Sequence, residues 1–271
     1  MTYQEYINIF KNNDSYESPA HNNTSIINGF LNKNRFLFYY KFVKVILNGA
    51  KVAKSGLYDT NAWIENSLNN LIFIENCGGQ FRISGLNNLR IERDKGVVIV
   101  ANHMSTLETV VLPSIIRSNR DITFVVKDSL VKDNTFGAIM RATNPIVVGR
   151  KSPREDLEHV LKTGEKILKS GKSLIIFPQS TRTSVFDPKT FNTLGIKLAK
   201  RANVKIIPLA LKTDLWGNGK LIREIGKISL EKKIHFTFDK PIEIKGNGKE
   251  EHKYIIEFIS KMQEKWQKIQ S

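Results

Sequence analysis

Between residues 97 and 211 short, dense apolar runs alternate with longer stretches in which apolar positions recur every three or four residues. The runs at 97–101, 122–126, 146–148, 174–177 and 204–211 are rich in Val and Ile and end at turn formers, so they predict buried strands. The intervals at about 106–118, 131–142, 152–170 and 190–202 carry helical spacing. Ser152-Pro153-Arg154-Glu155 opens one of these helices with a cap, a first-position proline and an early acid, and Gly171 closes it. Residues 80–85 predict a short strand and turn, and Ile234-His235-Phe236-Thr237-Phe238 alternates as a later, half-exposed strand. A final helix carries Ile255, Phe258, Ile259, Met262, Trp266 and Ile269 at core spacing. Strand and helix in regular succession predict an α/β fold, a largely parallel sheet with helices on both faces. There is no internal repeat and no low-complexity linker.

The N-terminal part reads differently. Residues 1–25 lack sustained periodicity and predict a loose arm or a short helix. In the aromatic-rich stretch 35–54, Lys41, Lys44, Asn48 and Lys51 recur at three- and four-residue steps, which on a helix gathers them into one polar stripe. Two placements follow: on an anionic bilayer surface with the aromatics dipping into the acyl boundary, or docked on the core. Residues 61–76 predict a second helix, forming a hairpin with the first. No apolar run approaches the ~18 residues of a membrane-spanning helix. The expected division is a helical membrane-docking segment at 1–76 and an α/β domain at 77–271.

Composition narrows the partners. Against 26 Asp and Glu stand 42 Lys and Arg, a net charge of +16, which favours nucleic acid, phospholipid headgroups or phosphorylated small molecules. With 41% hydrophobic residues the chain can build a proper core. Cys77 is the single cysteine, which excludes an internal disulfide and a Cys-rich metal site and fits a reducing compartment. The first residues show no basic region followed by an apolar one, so a peripheral protein on the cytoplasmic face of a membrane is expected.

Candidate chemistry gathers where strands end. The run at 97–101 stops at Asn102-His103, and Glu108 follows five positions after the histidine. Groups at the carboxyl ends of parallel strands face the crevice where ligands bind, and a histidine there can serve as a general base. Ser105-Thr106-Leu107-Glu108 is equally a capping box, so orienting His103 and capping the helix compete for one carboxylate. Lys127, Arg150 and Arg182 close or follow other strands and would lie along the same edge, either as cations converging on a ligand or as solvated loop charges.

Asn102-His103-Met104-Ser105-Thr106-Leu107-Glu108 resembles the Asn-His-x-x-x-x-Asp block of the glycerolipid acyltransferases, the family of 1-acylglycerol-3-phosphate acyltransferases. Phe177-Pro178-Gln179-Ser180-Thr181-Arg182-Thr183 resembles that family's Phe-Pro-Glu-Gly-Thr-Arg-Ser block. Ile146-Val147-Val148-Gly149-Arg150 and Ile206-Ile207-Pro208-Leu209-Ala210 are similar to two further blocks in the family's order. The resemblance implies a glycerol-3-phosphate acyltransferase-like fold and transfer of an acyl group from acyl-CoA or acyl-carrier protein to the hydroxyl of a lysophospholipid, with 1-acylglycerol 3-phosphate first. It further implies that His103 is the base, that Glu108 orients it, and that no acyl-enzyme, metal or cofactor is required. Arg150 and Arg182 would hold the acceptor phosphate, with Lys127 as a third candidate and Gln179, Ser180 and Thr181 beside them. Arg182 is equally suited to the phosphates of coenzyme A. Some members dock on membranes through an N-terminal helical pair, which residues 30–76 are similar to in character. Glu108, Gly149, Gln179 and Ser180 depart from the family's Asp, Asp, Glu and Gly, and these departures bear on the acceptor headgroup more than on the reaction.

Other classes fit less well. The Gly-x-Ser-x-Gly elbow of serine hydrolases is absent, as are a helix-turn-helix, a zinc pattern and an aromatic-basic strand signature, so no nucleic-acid partner is expected. A non-catalytic lipid-binding relative would be expected to have lost the base, and His103 and Glu108 are both present.

Overall fold

The computed structural model describes residues 1–19, 35–149, 152–179 and 181–270. The described residues form an eight-stranded sheet in the order β1 (Ser15–Glu17), β2 (Phe81–Ser84), β8 (Ile234–Phe238), β7 (Ile206–Lys212), β3 (Val98–Ala101), β6 (Ser173–Ile176), β4 (Ile122–Lys127), β5 (Ile146–Val148). Only the pairs β1–β2 and β7–β8 run antiparallel. The parallel centre follows from the sequence, because strands buried on both faces need helical crossovers.

The two-residue period of a strand divides the core. Ile99 and Ala101 of β3, Ile175 of β6 and Ile207, Leu209 and Leu211 of β7 belong to one apolar cluster. Their neighbours Val98, Val100, Leu174, Ile176, Ile206 and Ala210 belong to the other. The first cluster is covered by α1 (Tyr3–Asn12), α2 (Arg35–Lys54), α3 (Thr60–Asn76) and α4 (Thr106–Arg117). The second is covered by α7 (Pro153–Lys169), α8 (Leu194–Ala202) and α9 (Lys249–Gln270). Gly195 lets α8 sit directly on β3, since a Cβ there would come within 2.5 Å of Val100.

Several elements differ from their sequence-based forms. In the stretch read as a loose arm or a short helix, α1 is that short helix, capped by a Thr2–Glu5 capping box and burying Tyr6, Ile7 and Phe10, and the strand β1, not expected there, extends the sheet. The helix predicted over 131–142 is two helices, α5 (Asp128–Lys132) and α6 (Phe136–Ala142). They divide where the Asp133 carboxylate accepts the Thr135 and Phe136 N–H groups and starts the second. The helix expected from about 190 starts at Leu194, after a 3-10 turn at Pro188–Thr190. Pro113 lies inside α4, and the gap it makes in the helical ladder is filled from α3. There the Ser67 hydroxyl donates to the carbonyl of Val110 at 2.7 Å and accepts the Ser114 N–H at 2.8 Å.

The hairpin of α2 and α3 forms as expected, but α2 presents a different face. Phe38 and Ile46 are buried, and Phe38, Tyr39 and Phe42 pack edge-on against Trp216. Lys41 is half-buried and reaches the Cys77 sulfur. The outward face instead carries Phe36, Tyr40, Val43 and Leu47, one residue per turn, beside Lys44 and Lys51. Most of the aromatics therefore hold α2 on the core, and a separate row of four apolar residues is left outside. No helix among the described residues is long and apolar enough to cross a membrane.

Candidate active site

The site stands at the carboxyl ends of β3 and β6, which are neighbours in the sheet. Asn102, fully buried, carries the pairing of β3 beyond its last residue. Its amide donates to the Leu211 carbonyl at 2.8 Å and accepts the Leu211 N–H at 2.9 Å, so the side chain mimics a strand and fixes where the next residue emerges. That residue is His103. Its backbone N–H donates to Gln179 Oε1 at 2.8 Å, its carbonyl accepts the Thr183 N–H at 3.0 Å, and its ring stacks on Phe177 at 4.4 Å. The β6 loop thus holds the histidine from one side and α4 holds it from the other.

Glu108 fulfils both roles the sequence set in competition. Oε1 meets His103 Nδ1 at 2.9 Å and accepts the N–H groups of Met104 and Ser105, while Oε2 accepts the hydroxyls of Ser105 at 2.8 Å and Thr213 at 2.6 Å. Burial of this inaccessible carboxyl works to raise its pKa. The hydrogen bond and charge of His103, then Thr213 and the Ser105 backbone, outweigh burial and leave the pKa below the usual carboxylate value. A carboxylate can only accept, so Nδ1 carries the proton and Nε2 is the imidazole's free lone pair. Among the described residues nothing hydrogen-bonds Nε2, and the ring keeps a small opening to solvent.

Arg182 stands beside the N-terminus of α4. It donates through one terminal nitrogen to the Thr106 hydroxyl and through the other to Glu224 Oε1 at 2.6 Å. Burial opposes ionisation of Glu224, and Arg182 outweighs it, so this carboxyl also sits below its usual value. Gln179 is buried and spans the loop, with its amide nitrogen on the Thr183 hydroxyl. Both ends of Gln179 are therefore committed to holding the two loops together. Thr181 is exposed and accepts from Arg223. Lys127 is exposed at the end of β4, two strands from β3 and next to Asp128. Arg150 and Ser180 lie outside the described residues.

Sequence reasoning missed Thr213 and Glu224, which reach the site from beyond β7, more than 100 residues after His103 in the chain, with no local pattern to mark them. Asn102 was legible only as part of a block. Its position directly after a buried strand was the available signal.

Residues 80–212 match the family model described as Acyltransferase. The chain is 31% identical over 134 residues to a 1-acyl-sn-glycerol-3-phosphate acyltransferase of Pseudomonas aeruginosa, covering 49% of this chain and 50% of that one. It is 29% identical over 161 residues to a probable 1-acyl-sn-glycerol-3-phosphate acyltransferase of Mycoplasma genitalium, covering 57% and 59%. The chain thus spans about half the length of the curated relatives it matches. Its fold is similar to the crystal structure of the 1-acyl-sn-glycerophosphate acyltransferase PlsC from Thermotoga maritima, with a TM-score of 0.66 and 19% identity over 89% of this chain and 97% of that one. Over residues 80–212, just under half of its length, the chain is similar to the acyltransferase family.

Proposed function

We propose that this protein moves a fatty acyl group from an acyl thioester to the free hydroxyl of a lysophospholipid, with 1-acylglycerol 3-phosphate as acceptor and phosphatidic acid as product. The observation that carries the reading is the His103–Glu108 pair, with Nδ1 committed to a buried carboxylate and Nε2 left for a substrate. The named relatives support the choice of acceptor.

An alcohol is a poor nucleophile near neutral pH, and a positioned base contributes about 10²–10⁴ in rate. The acceptor hydroxyl gives its proton to His103 Nε2 as its oxygen bonds to the thioester carbonyl carbon. Glu108 stabilises the imidazolium that forms. When the tetrahedral intermediate collapses, the C–S bond breaks and the thiolate takes the proton from Nε2, which restores the neutral ring. No bond to the protein forms in this sequence. A phosphate monoester on the acceptor is held by Arg182, whose planar fork suits it, next to the positive end of α4. The donor is acyl-CoA or acyl-carrier protein.

The lipid acceptor is met at a membrane. Phe36, Tyr40, Val43 and Leu47 form the row that enters the acyl boundary, and Lys44 and Lys51 lie beside it for anionic headgroups. One purified preparation tests both statements. With acyl-CoA and a panel of lysolipids it should convert lysophosphatidate to phosphatidic acid faster than the other acceptors, and it should float with anionic vesicles. Thioester hydrolysis without acyl transfer would refute the reaction, and undiminished flotation after all four apolar residues are changed to Ser would refute the docking face.

A further inference from the structure

Within the segment joining β7 to β8, residues 217–227 make a long excursion to which the proposed reaction assigns no role. Trp216 bridges Ile228 at its base, and the Gly217 N–H donates to the Lys227 carbonyl at 2.8 Å. The two limbs cross where only glycine fits, since a Cβ on Gly226 would lie 1.9 Å from the Gly217 carbonyl oxygen and one on Gly219 would lie 2.0 Å from that of Ile222. At the tip, Leu221 is fully exposed and Ile222 more than half exposed, flanked by Lys220 and Arg223. The Gly226 carbonyl accepts from Tyr39 of α2 at 2.9 Å, so the base of the excursion rests on the helix whose next residue, Tyr40, belongs to the outward apolar row.

The same excursion reaches into the site. Glu224 pairs with Arg182, Arg223 donates to Thr181, and the Asn218 amide donates to the Met104 carbonyl at 2.8 Å. One terminal nitrogen of Arg182 is already on Thr106. Glu224 therefore takes the other, the position an incoming anion would need. A carboxylate and a phosphate dianion cannot share one guanidinium edge without like-charge repulsion.

We propose that residues 217–227 form a bilayer-contacting lid: Leu221 and Ile222 enter an anionic lipid surface, and Glu224 leaves Arg182 so that the phosphate of the acceptor takes its place. The charge of the tip fits that partner, because Lys220 and Arg223 flank the two apolar residues in the chain. The inference rests on Arg182 as the phosphate holder in the reading above.

Two variants and one turnover-independent measurement test it. Glu224→Gln should lower the KM for a short-chain, water-dispersed lysophosphatidate by ~10-fold. On acceptor presented in phosphatidylglycerol vesicles, where the lid is already open, it should change KM little. A raised KM would overturn the proposal, since Glu224 would then be positioning Arg182. Leu221→Asp with Ile222→Asp alters solvent-exposed side chains and should lower turnover on vesicles by ~10-fold while leaving the dispersed acceptor unaffected. Equal rates on vesicles would overturn the lipid contact. Hydrogen exchange on the full chain should show the Gly217 and Gly219 amides losing protection when phosphatidylglycerol vesicles are added. Unchanged protection would overturn the lid even if acyl transfer is found, and loss of protection would uphold it even if no lysophospholipid is turned over.

Discussion

His103 and His235 occupy similar frames and differ in what surrounds them. Each follows or lies within a strand of one sheet, and each stacks on an aromatic ring, His103 on Phe177 and His235 on Trp266. His103 has a buried carboxylate on Nδ1 and an opening to solvent. His235 has no hydrogen-bond partner for Nε2 within the described residues, is sealed from solvent, and faces Arg82, Lys212 and Lys233, with Asp214 opposing them. Burial first, then those cations, pushes its pKa down to about 4. An aromatic platform and a place on the sheet therefore do not make a base. The carboxylate partner and the access to substrate do.

The largest expected consequence is on activity. His103→Ala should lower kcat/KM for acyl transfer by about 10²–10⁴ while the melting temperature stays near that of the parent. The corresponding change at His235, to Phe, should leave acyl transfer alone, and a loss there would erase the distinction between the two rings.

His235 should instead reveal itself in stability. Its folded pKa lies below the unfolded value of 6.5, so the unfolded chain binds the extra proton between pH 6.5 and about 4. The contribution is present above pH 6.5 and is lost as pH falls through that window, amounting to ~3 kcal/mol at most. Denaturant melts across that range should show His235→Phe flattening the decline. An unchanged slope would mean the ring is not the group that titrates.

The smallest effect concerns recognition. Arg182→Lys cannot reproduce a planar fork and should raise the acceptor KM up to ~10-fold for a phosphate-bearing acceptor, with little effect on a phosphate-free one. Equal losses on both would assign Arg182 to the donor or to the fold.

The strand runs made most of the sheet legible, and with it the meeting of His103 and Arg182, because buried parallel strands leave dense apolar stretches and place their ends on one edge. Glu108 was legible as two exclusive roles. A carboxylate has two oxygens with several lone pairs, and a helix cap five residues after a histidine puts one oxygen within reach of the ring. Thr213 and Glu224 were not legible, since their contacts depend on how the chain returns after β7. Residues 35–54 were legible as a helix with two alternative placements, and the division of its apolar residues between them was not. The lysine spacing marks one polar stripe of a helix, but which apolar side is covered depends on Trp216, some 170 residues later in the chain. Phe38 and Phe42 took the core, and Phe36, Tyr40, Val43 and Leu47 were left outside.

The central claim is that His103 activates the acceptor for direct attack on the thioester. The most direct measurement mixes the protein in excess over acyl-CoA and follows free thiol on the first turnover, with and without lysophosphatidate. The account predicts thiol release only when acceptor is present, matched one for one by phosphatidic acid and abolished in His103→Ala. A stoichiometric burst of thiol without acceptor, leaving acyl on the protein, would contradict it.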